Sequence, residues 1–206
     1  MTPHTYRVVS STPVFTGTLI AVRTDQVQMS DGTIATREVV EHPGAVGVLA
    51  LDDQEQVVLI NQYRHPVARY LDELPAGLLD VAEEAALAAA QRELFEEAGL
   101  TARQWHVLID VYTSPGMTDE AIRIFLARGL TAVPEARRFV RTHEEITLTV
   151  SRVPLDEAVR RALAGELTNA SAVAGVLAAQ AARVLNWASL RPADAPWEGR
   201  PALPTH

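Results

Sequence analysis

The sequence contains no cysteine and no lysine. Without cysteine, disulfides, thiolate nucleophiles and metal sites with cysteine ligands are excluded. All 18 basic residues are arginine, so Schiff-base and lysine-nucleophile chemistry are excluded as well. The 26 acidic residues give a formal net charge of -8, which offers no broad basic surface for nucleic acid or an anionic membrane. We therefore expect any polyanionic substrate to be bound locally, through metal ions.

Long apolar runs are also missing. No stretch approaches the roughly 20 apolar residues of a membrane span, and the N-terminal segment has no basic region followed by an apolar run. We therefore expect a cytoplasmic protein. The 206 residues, 48% of them hydrophobic, suffice for one sizeable core with a small annex, or for two very small domains.

The N-terminal part of the chain has the pattern of a small β domain. Residues 1–42 alternate between apolar and polar side chains and break at a turn at Ser30–Gly32, which is typical of an antiparallel meander. Two runs rich in β-branched residues follow at 45–53 and 56–64, and we predict both to be core strands.

The remainder of the chain mixes helices and strands. Residues 65–81 are predicted as a loop, and an alanine-rich helix is predicted from about Glu83 to Ala98, with Gly99 as its left-handed cap. Beyond it we predict strands at 105–112, 121–130 and 146–153 and helices at 155–165 and 169–190. The resulting domains are residues 1–42, residues 43–190 and a proline-rich, irregular tail at 191–206.

The first of these helices carries several acids on adjacent turns. Residues four apart lie nearly above one another, so Glu93 and Glu97 share one face with Glu96 beside them. Such like charges repel by roughly 0.2–0.5 kcal/mol per pair, and a bound divalent cation would remove the repulsion. Mg²⁺ is typically held by one or two carboxylates together with substrate phosphates. The alternative is a solvated acidic face paired with Arg92.

The segment RELFEEAGL, residues 92–100, resembles the second half of the Nudix box, G-x5-E-x7-R-E-U-x-E-E-x-G-U, in which U is a bulky aliphatic residue. The matching residues are Arg92, Glu93, Leu94, Glu96, Glu97, Gly99 and Leu100. In the first half, Glu84 has the right distance from Arg92, but six residues instead of five separate it from Gly77. Because Glu83 would repair that spacing and break the next, we favour a one-residue insertion in the loop.

The resemblance to Nudix hydrolases covers nearly the whole chain, from TREVVEHPGAVGVLA through QYRHPV, ELPAGLLD, SPGMTDE and HEE to the last long helix. Pro115 stands 16 residues beyond Gly99, a position associated with the ADP-ribose pyrophosphatase subfamily, and ELPAGLLDV looks like its actinobacterial members. The resemblance implies an α/β fold, a Nudix α/β/α sandwich with a mixed sheet preceded by a small antiparallel β domain. It also implies a homodimer in which that β domain is often exchanged.

The activity implied by the resemblance is hydrolysis of ADP-ribose to AMP and ribose 5-phosphate by a metal-activated water that attacks a phosphorus. Glu93 and Glu97 would bind Mg²⁺, with Mn²⁺ as an alternative ion. Glu96 and the backbone oxygen of Ala76 are further candidate ligands. Arg92 would orient these carboxylates without touching the substrate.

The general base is expected outside the box, because carboxylates bound to a metal are poor bases. In ADP-ribose pyrophosphatases a glutamate on a later loop has this role, and RTHEEIT supplies Glu144 and Glu145 at the corresponding place. We assign the base to Glu145, with Glu144 as its alternative. Both could instead be plain exposed acids ahead of a strand.

Five residues are candidates for substrate binding: Arg37, Glu38, Arg64, Met117 and Glu120. By resemblance, Met117 would lie near the terminal ribose, and Glu120 is also a candidate for a metal or water contact. Arg64 could reach a phosphate with its forked guanidinium, or it could be a solvated arginine at a strand end. Arg37 and Glu38 match a subfamily position that contacts adenine, and they could equally be ordinary exposed charges.

Two rival functions stay open at this point. The substrate could be another nucleotide sugar, such as GDP-mannose. The domain could also be catalytically inactive and sense a ligand, although such domains commonly lose a metal-binding glutamate and none is missing here.

Overall fold

A computed structural model describes residues 6–81, 83–137, 139 and 147–201. The backbone forms two compact units. The smaller unit runs to Gly44 and includes Tyr112–Ala121 and the segment from Gly199. The larger unit consists of Ala45–Val111 and Ile122–Glu198. Within the described residues, no helix is long and apolar enough to cross a membrane.

The smaller unit contains a three-stranded antiparallel sheet in the order β1–β2–β3. The strands are β1 (Arg7–Thr16), β2 (Ala21–Gln28) and β3 (Ile34–Glu41). At the predicted turn, the N–H of Gly32 donates to the carbonyl oxygen of Met29 at 3.0 Å. The predicted meander is therefore confirmed, and its first strand is exposed along its whole length.

In the described residues, the larger unit has two sheets and three α-helices. Its strands are β4 (Ala45–Ala50), β5 (Gln56–Arg64), β6 (Arg69–Glu73), β7 (Ala76–Leu78), β8 (Leu100–Tyr112), β9 (Ala121–Ala132), β10 (Thr149–Pro154) and β11 (Arg191–Pro192), and its helices are α1 (Ala86–Ala98), α2 (Leu155–Leu163) and α3 (Ala170–Val184). A mixed sheet has the order β11–β8–β9–β4–β7, with β4 parallel to β9 and antiparallel to β7. The other sheet is antiparallel, in the order β10–β5–β6.

Both faces of the mixed sheet are covered, because side chains of β4 alternate between two apolar clusters. Leu49 packs in the cluster that contains Val176 of α3, whereas Val46 and Val48 pack in the cluster that contains Leu94 of α1. A strand buried on both faces has a continuous apolar sequence, as β4 does. The predicted α/β/α sandwich with a mixed sheet is confirmed.

Several predicted segments differ from the structure, among them the helix predicted at 169–190, which ends at Val184. Residues 65–81, predicted as a loop, contain β6 and β7, because partners distant in sequence stabilise these short strands. The helix predicted from Glu83 begins at Ala86, since the backbone of Glu83 is left-handed with φ +64°. The tail, predicted as irregular, begins with β11, which pairs antiparallel with β8.

A buried arginine of β9 holds the tail. Arg123 is 3% exposed and donates to the carbonyl oxygens of Ala195 at 2.6 Å and Pro196 at 3.0 Å. It also binds both carboxylate oxygens of Asp110, at 2.8 and 3.0 Å. Burial opposes the ionisation of Asp110, but hydrogen bonds from Arg123 and Arg191 hold its pKa below the ordinary value. Arg123 therefore stays paired inside the fold.

Candidate active site

The acid-rich helix α1 forms as predicted and ends at its predicted cap. Gly99 is left-handed, with φ 62°, and its N–H donates to the carbonyl oxygen of Phe95 at 3.1 Å. Glycine adopts this conformation without the steric cost of a Cβ atom, so the helix ends here and β8 begins at Leu100.

Glu93 and Glu97 lie on the buried side of α1. They are 8% and 6% exposed and share that side with Ala90 and Leu94. The alternative of a solvated face is therefore wrong for this pair. Burying carboxylates is unfavourable unless they are paired, and two of them one turn apart also repel. An arrangement that costs stability in this way is typical of a functional site.

A hydrogen bond ties Glu97 to β7. The backbone N–H of Ala76 donates to Glu97 Oε2 at 2.8 Å. Ala76 was predicted to offer its carbonyl oxygen to a metal ion, and the structure brings its N–H to the carboxylate of a predicted metal ligand. The peptide segment at Ala76 and the carboxylate of Glu97 are therefore neighbours.

Gly77, the first glycine of the box, makes room for Glu93. A Cβ atom at this position would lie 2.0 Å from Glu93 Oε1 and 2.2 Å from its Cδ. No side chain fits there while Glu93 keeps this position, so the glycine lets the carboxylate of Glu93 approach the β7 backbone. The two buried carboxylates thus meet adjacent residues of one strand.

Arg92 joins the carboxylates around it. Its guanidinium binds both oxygens of Glu84 at 3.2 Å, Glu93 at 2.6 Å and Glu96 at 3.3 Å. The hydrogen bonds that Arg92 donates to Glu84, with the negative charges of Glu93 and Glu84, raise the pKa of Arg92 above its ordinary value, so the group is permanently cationic. Glu84, and not Glu83, makes this contact, which places the extra residue of the box in the loop between β7 and α1.

The donor set fits a hard divalent cation. Within the described residues, no group of three or more His, Asp or Glu side chains forms a ready-made metal cage. Mg²⁺ does not need one, because it keeps several waters and binds one or two carboxylates together with substrate phosphates. Glu93 and Glu97, which converge on the backbone at Ala76 and Gly77, supply carboxylate oxygens of that kind.

Arg64 is held by a glutamate that the sequence reasoning did not single out. Its Nε and Nη2 donate to the two carboxylate oxygens of Glu73 at 2.9 and 2.8 Å. Glu73 is 2% exposed, whereas the Arg64 side chain is 46% exposed. The signal in the sequence is an acid in the apolar stretch YLDELPAG. Phosphate binding by Arg64 stays a prediction.

The other substrate-binding candidates lie in the smaller unit. Arg37 and Glu38 are exposed on β3. Met117 and Glu120 lie on the 112–121 segment, where the N–H of Val40 donates to the carbonyl oxygen of Met117 at 2.8 Å. This hydrogen bond places the segment along the end of β3. The substrate-binding roles of Arg37, Glu38, Met117 and Glu120 stay predictions.

A cavity of about 320 Å³ opens beside this segment, lined by Val39, Tyr112, Pro115, Gly116, Met117 and Thr118 among others. Pro115 is the subfamily-associated proline, and it lies in the wall of the cavity together with Met117. Glu144 and Glu145, the two candidates for the base, lie outside the described residues.

Comparison with known proteins agrees with this architecture. The NUDIX domain profile matches residues 41–174, and the profile of the nucleoside diphosphate sugar hydrolase N-terminal domain matches residues 6–40. The chain is 48% identical over 203 residues to the ADP-ribose pyrophosphatase of Mycobacterium tuberculosis, covering 98% of this chain and 95% of that protein. It is 36% identical over 154 residues to the ADP-ribose pyrophosphatase of Bacillus subtilis, covering 75% and 81% of the two chains.

The crystal structure of an ADP compounds hydrolase matches with a TM-score of 0.76 at 21% identity, over 91% of this chain and 98% of that one. At this identity the match shows a shared fold. The chain belongs to the Nudix family. The resemblance inferred from the box is thereby confirmed, and Nudix hydrolases generally need a divalent metal ion.

Proposed function

We propose that this chain is a metal-dependent pyrophosphohydrolase that cleaves ADP-ribose to AMP and ribose 5-phosphate. The observation that carries the proposal is the burial of Glu93 and Glu97 of a Nudix box against the backbone of Ala76 and Gly77. The choice of substrate is supported by two relatives named ADP-ribose pyrophosphatase, one of them 48% identical along 98% of the chain.

Glu93 and Glu97 would hold Mg²⁺ or Mn²⁺, with Glu96 and the carbonyl oxygen of Ala76 as further ligands. When bound, such an ion neutralises diphosphate charge and lowers the pKa of water. Arg92 keeps Glu93 and Glu96 in place through its hydrogen bonds. The carboxylates are thus oriented before the substrate arrives, which reduces the reorganisation needed during the reaction.

A product assay on a panel of nucleoside diphosphates, with and without EDTA, tests the proposal. We expect AMP and ribose 5-phosphate from ADP-ribose, and we expect EDTA to abolish their release. If GDP-mannose is turned over faster than ADP-ribose at equal concentration, the assigned substrate would be GDP-mannose instead. Residues 6–40 match the N-terminal domain of nucleoside diphosphate sugar hydrolases, a class that includes enzymes for either substrate. Calorimetric binding without any product would indicate a ligand sensor.

We assign proton abstraction to Glu145. Glu145→Gln should lower kcat by at least about tenfold. The activity that remains would reflect partial replacement of the base by the adjacent Glu144. Because the residue lies outside the box, its loss should leave the Mg²⁺ concentration needed for half-maximal activity largely unchanged. Glu144→Gln is the matched control, and an equal loss from that variant alone would move the assignment to Glu144.

The remaining contacts with the substrate are proposed for Arg37, Glu38, Arg64, Met117 and Glu120. A binding role predicts that alanine at any of these positions raises KM for ADP-ribose more than it lowers kcat. A fall in kcat with unchanged KM would contradict that role for the residue concerned.

We also propose a homodimer and a cytoplasmic location. The apolar side chains of Val8, Val14 and Phe15 on β1 are 51%, 63% and 54% exposed, and a small sheet with so little core of its own needs another surface to cover it. Sedimentation equilibrium should therefore give twice the chain mass. A monomer mass at micromolar concentration would contradict the homodimer. Secretion of the tagged chain from its host would contradict the cytoplasmic location.

A further inference from the structure

His42 has no part in the chemistry described so far, yet three polar contacts tie it to its surroundings in the smaller unit. Its backbone N–H donates to Asp119 Oδ1 at 2.9 Å. Its ring Nδ1 accepts a hydrogen bond from the N–H of Gly44 at 3.1 Å. Its ring Nε2 lies 3.7 Å from Glu120 Oε1. With a side chain only 12% exposed, the ring is held in one orientation.

The contact with Gly44 determines where the ring carries its proton. Because Nδ1 accepts a hydrogen bond, the neutral ring has its hydrogen on Nε2. That N–H faces the carboxylate of Glu120. A separation of 3.7 Å is longer than a direct hydrogen bond, but hydrogen bonds in active sites without ligand are often long and tighten when the ligand binds.

The second oxygen of Glu120 is held from another direction. The hydroxyl of Thr113 donates to Glu120 Oε2 at 2.6 Å. With one oxygen bound to Thr113 and the other facing His42, the carboxylate has little rotational freedom. It is nevertheless 26% exposed, so a ligand can reach it.

We infer that His42 is a positioning residue that holds the carboxylate of Glu120 for recognition of sugar hydroxyls on the nucleoside diphosphate sugar. An ionised carboxylate only accepts hydrogen bonds, so the groups it recognises must be donors such as hydroxyls. This inference rests on the proposed function and on the substrate-binding role of Glu120. His42 acts through Glu120 and does not touch the substrate.

Two substitutions, each of which retains only one of the polar positions of the histidine ring, separate this role from a purely structural one. His42→Asn keeps an acceptor for the N–H of Gly44 and loses the donor facing Glu120, so we expect KM for ADP-ribose to rise about tenfold with little change in kcat. His42→Gln keeps a donor facing Glu120 and should stay near the wild-type KM. If His42 served only to accept the Gly44 hydrogen bond, the order of the two variants would reverse, and that result would overturn the inference.

A double-mutant cycle between His42 and Glu120 provides a second test of the inference. Adding His42→Asn to Glu120→Gln should raise KM no further, because the group that His42 positions has already been altered. Fully additive effects would overturn the inference. His106→Asn on β8 is the matched control and should leave KM unchanged.

Long-range ¹H–¹⁵N NMR of the histidine rings tests the contact without any turnover. We expect the tautomer with hydrogen on Nε2 for His42, and a change in its Nε2 shift in Glu120→Gln. A ring with hydrogen on Nδ1, or a spectrum that does not respond to Glu120→Gln, would overturn the inference. If the wild-type chain releases no product from any nucleoside diphosphate, the proposed function fails together with the assigned ligand, whereas the NMR result alone decides the His42–Glu120 contact.

Discussion

Glu97→Gln is expected to lower kcat for ADP-ribose at least about 10²-fold, the lower range for loss of a key group that stabilises charge. The physical reason is that the substitution removes the negative charge of a predicted metal ligand. The amide oxygen of glutamine can still accept the hydrogen bond from the N–H of Ala76, which is 2.8 Å long in the structure. The tie between α1 and β7 therefore persists while the predicted metal ligand is weakened.

Stability should change in the opposite direction from activity. Glu93 and Glu97 are like charges one turn apart, so neutralising one removes a repulsion of roughly 0.2–0.5 kcal/mol. We expect Tm without added metal to stay the same or to rise slightly. Glu157→Gln on α2, an exposed glutamate paired with Arg160, is the control and should leave kcat unchanged. Near-normal turnover of Glu97→Gln in excess Mg²⁺ would contradict the assignment of Glu97.

Gly77→Ala is expected to reduce kcat by a similar factor, about 10²-fold, although it changes no charged group. The added methyl would overlap Glu93 Oε1, since a Cβ atom at this position lies 2.0 Å from that oxygen. The carboxylate of Glu93 must therefore move away from the β7 backbone. Steady-state kinetics over a range of Mg²⁺ concentrations should show a higher metal requirement.

The small size of the added group makes this variant informative. The atoms that must move, Oε1, Cδ and Cγ of Glu93, all belong to one flexible side chain and not to the backbone. The fold can therefore accommodate the methyl by moving Glu93, and Tm should fall far less than activity. Gly47→Ala on β4 is a matched control, because the nearest atom to a Cβ at that position, Ile124 Cγ1, is 3.6 Å away, an ordinary contact. Full activity of Gly77→Ala at low Mg²⁺ would show that the position of Glu93 does not matter.

The parts of the fold that sequence predicts are those governed by neighbours along the chain. The cap at Gly99 depends on one left-handed residue, and the spacing of Glu93 and Glu97 depends on helical geometry alone. The meander is also local, because its strands are joined by short turns. The Nudix box could be recognised without any tertiary information, because its residues are close together in the sequence.

Strand pairing across the chain was harder to predict. The strands β6 and β7 were predicted as loop and β11 as irregular tail, since short segments with Pro, Gly and charged residues have weak strand preference of their own. Each forms because a longer strand offers backbone partners: β5 for β6, β4 for β7 and β8 for β11.

The environment of the acids could not be obtained from periodicity either. A helical pattern assigns charged residues to solvent, yet Glu93 and Glu97 are buried. The spacing favoured Glu84 over Glu83 as the first glutamate of the box, and the contact of Glu84 with Arg92 agrees with that choice. The partner of Arg64 was missed because Glu73 approaches it only across the β5–β6 pair.

By itself, the sequence determined that an acid-rich helix forms, where it ends and which glutamates share a face, because hydrogen bonds within a few residues decide all three. Only the tertiary structure decided what those glutamates face. Ala76 and Glu97 are 21 residues apart, and they meet because β7 pairs with β4 while α1 packs on the same two strands. Long-range packing of this kind places a glycine backbone where two carboxylates converge, and no local pattern contains that information.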